Sequence, residues 1–108
     1  MEKTIASGKE LEEALKSKDK AMVLFYASWC PFSKRFLPVF EKYAKDKSSN
    51  YLRVMIDEME DVCDKYYINV YPTVLFFENG KVAKRLDGIS GEGLNEKKLT
   101  DFIGVCGV

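Results

Sequence analysis

A continuous apolar run, AMVLFYA at Ala21–Ala27, constrains the fold of this chain more than any other feature. The run has the length of a β-strand, and a strand that is apolar at every position is buried on both faces. Such a strand lies in the middle of a sheet that carries helices on both sides. The run therefore predicts an α/β architecture rather than an open antiparallel sheet.

Helical and extended patterns alternate on either side of this run. Ser7 and Glu10 match a helix-capping box, which predicts a helix to about Ser17. Apolar residues at helical spacing predict an amphipathic helix from Ser33 to about Lys47: Phe36, Leu37, Phe40, Tyr43 and Ala44. Further strands are predicted at 4–6, 51–56, 73–78 and 81–87, and further helices at 58–66 and at 95–103, the last ending near Gly104.

The predicted order of elements is β-α-β-α-β-α-β-β-α. Asn79-Gly80 predicts a type I′ hairpin turn between the last two strands, so these strands are antiparallel, whereas the earlier crossovers are parallel. The chain is therefore expected to form a central mixed β-sheet flanked by helices on both faces, a three-layer α/β/α sandwich. Its 108 residues suit one compact domain, predicted to cover 1–108.

Charge and hydropathy argue against two classes of partner. Lys plus Arg equals Asp plus Glu at 17 each, so no net field attracts nucleic acid or an anionic membrane. No apolar run approaches the roughly 18 residues of a transmembrane helix. The polar, acidic N-terminus is unlike a signal peptide. We therefore expect a cytoplasmic protein with neither nucleic acid nor membrane as partner.

The cysteine and histidine content narrows the chemistry. The chain has no histidine, which excludes Cys-His nucleophilic catalysis and His-containing zinc sites. Its three cysteines are Cys30, Cys63 and Cys106, an odd number at wide spacing that fits neither a disulfide framework nor a local metal site. We therefore expect neither metal nor cofactor, and any redox chemistry depends on single thiols.

The segment YASWCPFSKRF at 26–36 carries the candidate chemistry. Cys30 lies where a buried strand ends and a helix begins, and Pro31 has the φ angle that suits the first helical position. Unpaired N–H groups and the helix dipole stabilise a thiolate at such a place. A thiolate attacks a disulfide and forms a mixed disulfide. Cys30 is therefore the candidate nucleophile, with an inert buried cysteine as the alternative.

Four ordered motifs resemble the thioredoxin family over nearly the whole chain. They are VLFYASWCPFSKRFLPVFEKYA, RVMIDEME, KYYINVYPTVLFFENGKV and RLDG. The CPFS turn is also similar to those of adenylylsulfate-reductase-like proteins and glutaredoxins. The resemblance implies the thioredoxin fold, thiol–disulfide exchange, disulfide-bearing or thiol-bearing protein substrates and a monomeric state.

The resemblance also implies a substrate groove beside the turn. The residues that it assigns to this groove are Trp29, Pro31, Phe32, Tyr71, Pro72 and Gly88. Trp29 is expected to flank the thiol. The bond before Pro72 is expected to be cis, with the backbone of Tyr71 offered to a peptide as an added strand. Gly88 is expected to keep the groove shallow.

Three positions depart from the family's usual pattern. Ser33 stands where a second cysteine is expected; its hydroxyl can donate a hydrogen bond to the Cys30 thiolate but cannot form a disulfide. Leu24 stands where the family places a buried carboxylate that helps to deprotonate that second cysteine. Arg53 stands where thioredoxins tend to carry a lysine, and a solvent-facing strand residue explains it equally well. A mixed disulfide on Cys30 would therefore need an outside thiol, with glutathione as a candidate.

Several functions remain open at this point. The first is a thiol–disulfide oxidoreductase that lacks the resolving cysteine, with Cys30 and Ser33 as catalytic residues. The second is a redox-inactive module that docks a partner peptide in the groove of Trp29 and Pro72. A third is a dithiol thioredoxin whose second cysteine was replaced by engineering, although Leu24 favours a natural serine. An iron–sulfur carrier is less favoured because no glutathione-binding pattern extends beyond the turn.

The other two cysteines have simpler interpretations. Cys63 falls in a predicted helix and is expected to be a small buried thiol that faces the sheet. Cys106 follows the last predicted helix and is expected to be exposed. In the fold that the resemblance implies, these two helices cover opposite faces, so a Cys63–Cys106 disulfide would not form. Either thiol remains an alternative as a remote resolving cysteine.

Overall fold

Five strands and four helices alternate in the predicted order. The structure, a computed structural model, describes residues 3–5, 7–45, 51–57, 59–89 and 91–107. The elements are β1 (Lys3–Ile5), α1 (Gly8–Lys16), β2 (Lys20–Tyr26), α2 (Pro31–Ala44), β3 (Tyr51–Met55), α3 (Glu60–Tyr66), β4 (Thr73–Glu78), β5 (Lys81–Leu86) and α4 (Glu96–Cys106). In the described part of the chain, every helix is too short or too polar to cross a membrane.

The strands form one mixed sheet in the order β1-β3-β2-β4-β5. β3 pairs in parallel with β1 and β2, whereas β4 pairs antiparallel with β2 and β5. Asn79 and Gly80 both have positive φ, 53° and 82°, as the predicted type I′ turn requires. The predicted three-layer α/β/α arrangement with a mixed sheet is confirmed.

Alternate residues of β2 lie on opposite faces of the sheet and belong to two separate hydrophobic cores. Val23 and Phe25 pack on the face that α1 and α3 cover, while Met22 and Leu24 pack on the face that α2 and α4 cover. All four side chains are fully buried. Burying each such side chain stabilises the fold by about 1.5–3 kcal/mol relative to leaving it exposed. The turn that follows β2 therefore begins from a strand that is fixed on both faces.

The starts of three helices follow from local chemistry. The Ser7 hydroxyl accepts a hydrogen bond from the Glu10 N–H at 3.1 Å and caps α1, as predicted. Asn95 caps α4 in the same way, accepting from the Lys98 N–H at 2.9 Å. Helix α2 begins at Pro31, two residues before the predicted start, because the fixed φ of proline suits the first helical turn.

The end of α4 differs from the prediction. The helix passes through Gly104 and ends at Cys106, with Gly107 as its C-cap at a φ of 73°. An apolar stripe of Leu99, Phe102 and Cys106 explains the extension, because this face packs against the sheet over the whole helix. Cys106 is therefore only 8% exposed, and its predicted exposure was wrong.

Parts of three predicted elements fall on residues outside the described ranges. They are Ala6 after β1, residues 46 and 47 after α2, and Glu58 before α3. The described parts of these elements agree with the prediction to within about two residues, the usual uncertainty in helix and strand ends.

Candidate functional site

Cys30 lies at the N-cap of α2, directly after the central strand. Its backbone is extended, with φ −85° and ψ 122°, and Pro31 occupies the first helical turn. The Cys30 side chain makes no capping hydrogen bond to the first-turn N–H groups of α2. At this place the sulfur lies at the positive end of the helix dipole. The residue is 7% exposed, with Sγ 4.0 Å from the carbonyl oxygen of Tyr71.

The turn is held by hydrogen bonds from both neighbouring strands. The Cys30 N–H donates to the Ala27 carbonyl at 3.2 Å. The Ser28 N–H donates to Asp57 Oδ1 at 2.9 Å, and the Ser28 hydroxyl donates to the second carboxylate oxygen. The sequence analysis missed Asp57. Its position just after β3 could have signalled it, because parallel neighbours β2 and β3 end at the same edge of the sheet.

The Ser28–Asp57 contact predicts a pH dependence. Hydrogen bonds from the Ser28 side chain and backbone lower the pKa of Asp57. A carboxyl whose pKa is lower in the folded state adds stability above its unfolded pKa and loses it as pH falls through the folded value. We expect Asp57→Asn to lower Tm at neutral pH, and the difference from wild type to narrow below about pH 4. Thermal unfolding across this range measures it.

Asp19→Asn is the matched control, because Asp19 is exposed at the start of β2, away from the turn. It is expected to change Tm little at any pH. A Tm difference for Asp57→Asn that stays constant from neutral to acidic pH would contradict the prediction.

Ser33 is buried, and its hydroxyl forms a hydrogen bond with the backbone rather than with the Cys30 thiol. Its Oγ accepts a hydrogen bond from the Ala27 N–H at 3.2 Å, and the residue is 1% exposed. The predicted hydrogen bond to Cys30 is not formed: among the described residues, no hydrogen bond joins these two side chains. The hydroxyl instead satisfies a buried amide at the end of the central strand, where an unpaired N–H would be costly.

Leu24 and Arg53 lie side by side on β2 and β3, in register. Leu24 is fully buried in the core beneath α2. The Arg53 side chain is 22% exposed and forms an ion pair with Glu41 of α2, so it is partly covered by that helix and only partly solvent-facing. The position at which the family resemblance implies a buried carboxylate is therefore occupied by the apolar side chain of Leu24.

Tyr71 and Pro72 form the wall opposite Cys30. The peptide bond between them is cis, as predicted. The Tyr71 ring packs edge-on against Trp29, with ring centroids 5.8 Å apart and an interplanar angle of 86°. Trp29 is 63% exposed. Its ring is thus held in place by Tyr71 but remains open to solvent beside the thiol.

Two glycines closely approach residues of the predicted groove: Gly88 lies against Pro72, and Gly93 lies against Phe32. A Cβ on Gly88 would lie 2.4 Å from the Pro72 carbonyl oxygen, and one on Gly93 would lie 2.7 Å from Cβ of Phe32. Both distances are shorter than van der Waals contact permits. Gly88 was predicted to belong to the groove and Gly93 was not, although its place in a glycine-rich segment was a signal.

Gly88→Ala is expected to destabilise the fold by roughly 1–3 kcal/mol, because Ala Cβ would overlap a backbone oxygen that cannot move freely. Gly104→Ala is the matched control. Gly104 is in the exposed part of α4 with nothing near its Cβ position, so alanine there should stabilise by up to about 1 kcal/mol. Denaturant unfolding of both variants measures these effects. Equal stability of Gly88→Ala and wild type would show that the close contact is not maintained.

The remaining cysteines are placed on opposite faces of the sheet, and both are free thiols. Cys63 of α3 is half-buried, with Sγ 3.9 Å from the Tyr71 hydroxyl oxygen. It also lines a cleft of about 370 Å³ between α3 and Trp29. Burial raises the pKa of the Cys63 thiol and of the Cys106 thiol. Both therefore remain protonated at neutral pH, which disfavours them as nucleophiles.

Metal ligation finds no support in this arrangement of side chains. Within the described ranges, no group of three or more His, Cys, Asp or Glu side chains converges in a way that could hold a metal ion.

Comparison with known proteins places these features in a family. A family model described as thioredoxin matches residues 2–103. Thioredoxin of Mycoplasmoides gallisepticum is 38% identical over 96 residues, which cover 87% of this chain and 96% of that protein. Human endoplasmic reticulum resident protein 44 is 37% identical over 83 residues, which cover 69% of this chain but 20% of that protein.

Solved structures of thioredoxins superimpose on this chain over nearly its whole length. The thioredoxin of Plasmodium falciparum superimposes with a TM-score of 0.84 at 27% identity, covering 95% of this chain and 97% of that one. Fasciola hepatica thioredoxin gives 0.82 at 29% identity, covering 97% and 98%. These matches span the sheet, the turn that carries Cys30 and the proline opposite it. The chain therefore has the thioredoxin fold and belongs to the thioredoxin family of thiol–disulfide oxidoreductases.

Proposed function

We propose that this protein exchanges thiols and disulfides through one nucleophile, Cys30. One observation carries the proposal: Cys30 lies at the N-terminus of α2 facing Tyr71, while the buried hydroxyl of Ser33 occupies the place of a second thiol. Cys63 and Cys106 are half-buried and buried respectively, and neither belongs to the first turn of α2. The first chemical step is thus supported, and an internal second step is not.

The proposed reaction has two exchange steps. The Cys30 thiolate attacks one sulfur of a substrate disulfide, forms a mixed disulfide and releases the other sulfur as a thiolate, which takes a proton from water. An external thiol then attacks the mixed disulfide. The external thiol becomes joined by a disulfide to the substrate sulfur that was bound to Cys30, and this product leaves. Cys30 is released as a thiolate. The external thiol supplies the electrons, and glutathione is the candidate.

Substrate proteins would bind along the groove described above. The side chains that line it in the proposal are Trp29, Pro31, Phe32, Tyr71, Pro72 and Gly88. The backbone of Tyr71 would pair with an extended substrate segment, as in strand addition. The close approach of Gly88 to Pro72 keeps that edge free of side chains. Disulfide-bearing proteins are the general substrates of the family, and the individual partner is left to experiment.

The monomeric state and cytoplasmic localisation stay predictions. One relative carries a name that places it in the endoplasmic reticulum. A fluorescent fusion in the native cell distinguishes the two compartments.

Mass spectrometry of the protein treated with glutathione disulfide tests the proposal. We expect a single glutathione adduct on Cys30 that persists after excess reagent is removed and disappears when free thiol is added. An internal disulfide to Cys63 or Cys106 would contradict the single-nucleophile mechanism. Absence of any adduct on Cys30 would instead support the redox-inactive binding module.

A further inference from the structure

An arginine on the edge strand holds the start of the segment that presents Tyr71. The segment of residues 67–72, here called the cis-proline loop, follows the last turn of α3. Arg85 of β5 donates from Nη1 to the Tyr66 carbonyl at 3.0 Å and from Nη2 to the Tyr67 carbonyl at 2.9 Å. Carbonyls at a helix C-terminus lack partners within the helix, so the guanidinium satisfies groups that would otherwise depend on water.

Asp87 fixes the orientation of that guanidinium. Arg85 Nε lies 3.0 Å and 3.1 Å from the two Asp87 oxygens, and Nη2 lies 2.7 Å from one of them. A planar guanidinium that bonds a carboxylate on one edge presents its remaining N–H groups in a fixed direction. A lysine ammonium is a compact charge and cannot reproduce this arrangement.

The segment of residues 85–88, which contains Arg85 and Asp87, also contacts the other end of the cis-proline loop. Gly88 follows Asp87 directly, and its Cα is so close to the Pro72 carbonyl that a Cβ would lie 2.4 Å from that oxygen. At the start of β4, the Thr73 hydroxyl donates to the Val70 carbonyl of this loop at 2.8 Å. Residues 85–88 therefore hold both ends of the cis-proline loop, in which Tyr71 has its carbonyl oxygen 4.0 Å from Cys30 Sγ.

We infer that Arg85 is a positioning residue for substrate peptides. Its bonds to Tyr66 and Tyr67 hold the cis-proline loop so that the Tyr71 backbone is in place to pair with a substrate segment. The inference rests on the proposed function, because it assumes that a peptide pairs with Tyr71 while Cys30 attacks. It follows that Arg85 matters for disulfides flanked by a peptide and not for small disulfides, which need only Cys30.

Two test compounds with the same leaving thiol distinguish a disulfide flanked by a peptide from a small disulfide. One is hydroxyethyl disulfide, and the other is a short peptide whose cysteine is linked to mercaptoethanol. We expect Arg85→Met to slow attack on the peptide disulfide roughly tenfold, since small misplacements of binding groups are costly, and to leave the rate with hydroxyethyl disulfide unchanged. Stopped-flow measurement of mercaptoethanol release gives both rate constants.

Lys84→Met is the matched control. Lys84 is the neighbouring residue on β5, and its Nζ donates to the Val105 carbonyl at 3.1 Å, at the C-terminal end of α4 on the other face of the sheet. It therefore loses the same kind of bond, from a cation to a helix C-terminus, without touching the cis-proline loop. Its ratio of peptide rate to small-disulfide rate should equal that of wild type.

A second substitution that restores stability distinguishes loss of loop positioning from loss of stability in Arg85→Met. Tyr67 has a left-handed φ of 55°, so Tyr67→Gly should restore stability lost in Arg85→Met without restoring the bonds. The double variant is expected to keep the reduced ratio. A ratio that equals wild type in folded Arg85→Met, or that recovers with stability in the double variant, overturns the inference. Wild-type protein that reacts with neither disulfide overturns the proposed function, and the inference with it.

Discussion

Cys30→Ser is expected to abolish covalent capture of disulfides by this protein. A serine hydroxyl is a poor nucleophile toward a disulfide, whereas a cysteine sulfur attacks a disulfide and forms a mixed disulfide. The other thiols are not expected to substitute, because neither lies in the first turn of α2 and burial raises the pKa of both. Intact-mass measurement after treatment with glutathione disulfide should show no adduct on the Cys30→Ser protein under conditions that label wild type completely.

Cys63→Ala and Cys106→Ala are the matched controls for this loss. Each removes one thiol from a different face of the sheet and leaves the first turn of α2 intact. Both should form the adduct at the wild-type rate. Labelling of Cys30→Ser to the same extent as wild type would place the reactive thiol elsewhere and remove Cys30 from the mechanism.

Ser33→Cys is expected to shorten the lifetime of the mixed disulfide by roughly 10²-fold or more. A thiol at this position would lie one helical turn from Cys30, and well-oriented intramolecular attack has a high effective concentration. The protein should then release its substrate without added thiol and store an internal disulfide. The rate of thiol release from a preformed glutathione adduct measures this gain.

The same substitution should cost about 1 kcal/mol in stability, because sulfur is a weaker acceptor than the hydroxyl that now binds the Ala27 N–H. Ser17→Cys is the matched control, since it adds a thiol at the end of α1 and leaves the turn unchanged. An adduct that persists equally in Ser33→Cys, Ser17→Cys and wild type would mean that position 33 is not placed to resolve it.

The features that could be predicted from the sequence are those with a local cause. The apolar run of β2, the Ser7 cap and the Asn79-Gly80 turn each depend on a few neighbouring residues, and all three are confirmed. Cys30 was placed correctly at a helix start because the strand before it and Pro31 after it mark the boundary.

The features that were missed depend on contacts between distant segments. Asp57 accepts a hydrogen bond from Ser28, 29 residues away in sequence, and Arg85 donates one to Tyr67, 18 residues away. On an exposed edge strand, Arg85 has the pattern of an ordinary solvated residue, so periodicity gave no indication of its role. The direction of the Ser33 hydroxyl was also unpredictable, because two acceptable partners, Cys30 and the Ala27 amide, lie within reach of the same turn.

The apolar side chain of Leu24 has a consequence for how protons reach this site. A carboxylate at that position could exchange protons with the turn from inside the core, whereas a fully buried leucine cannot. In the proposed reaction, a departing thiolate would therefore take its proton from solvent and not from this position in the core. Turnover should accordingly respond to the acidity of the external thiol and of the buffer, and the protein interior supplies no proton reservoir at this position.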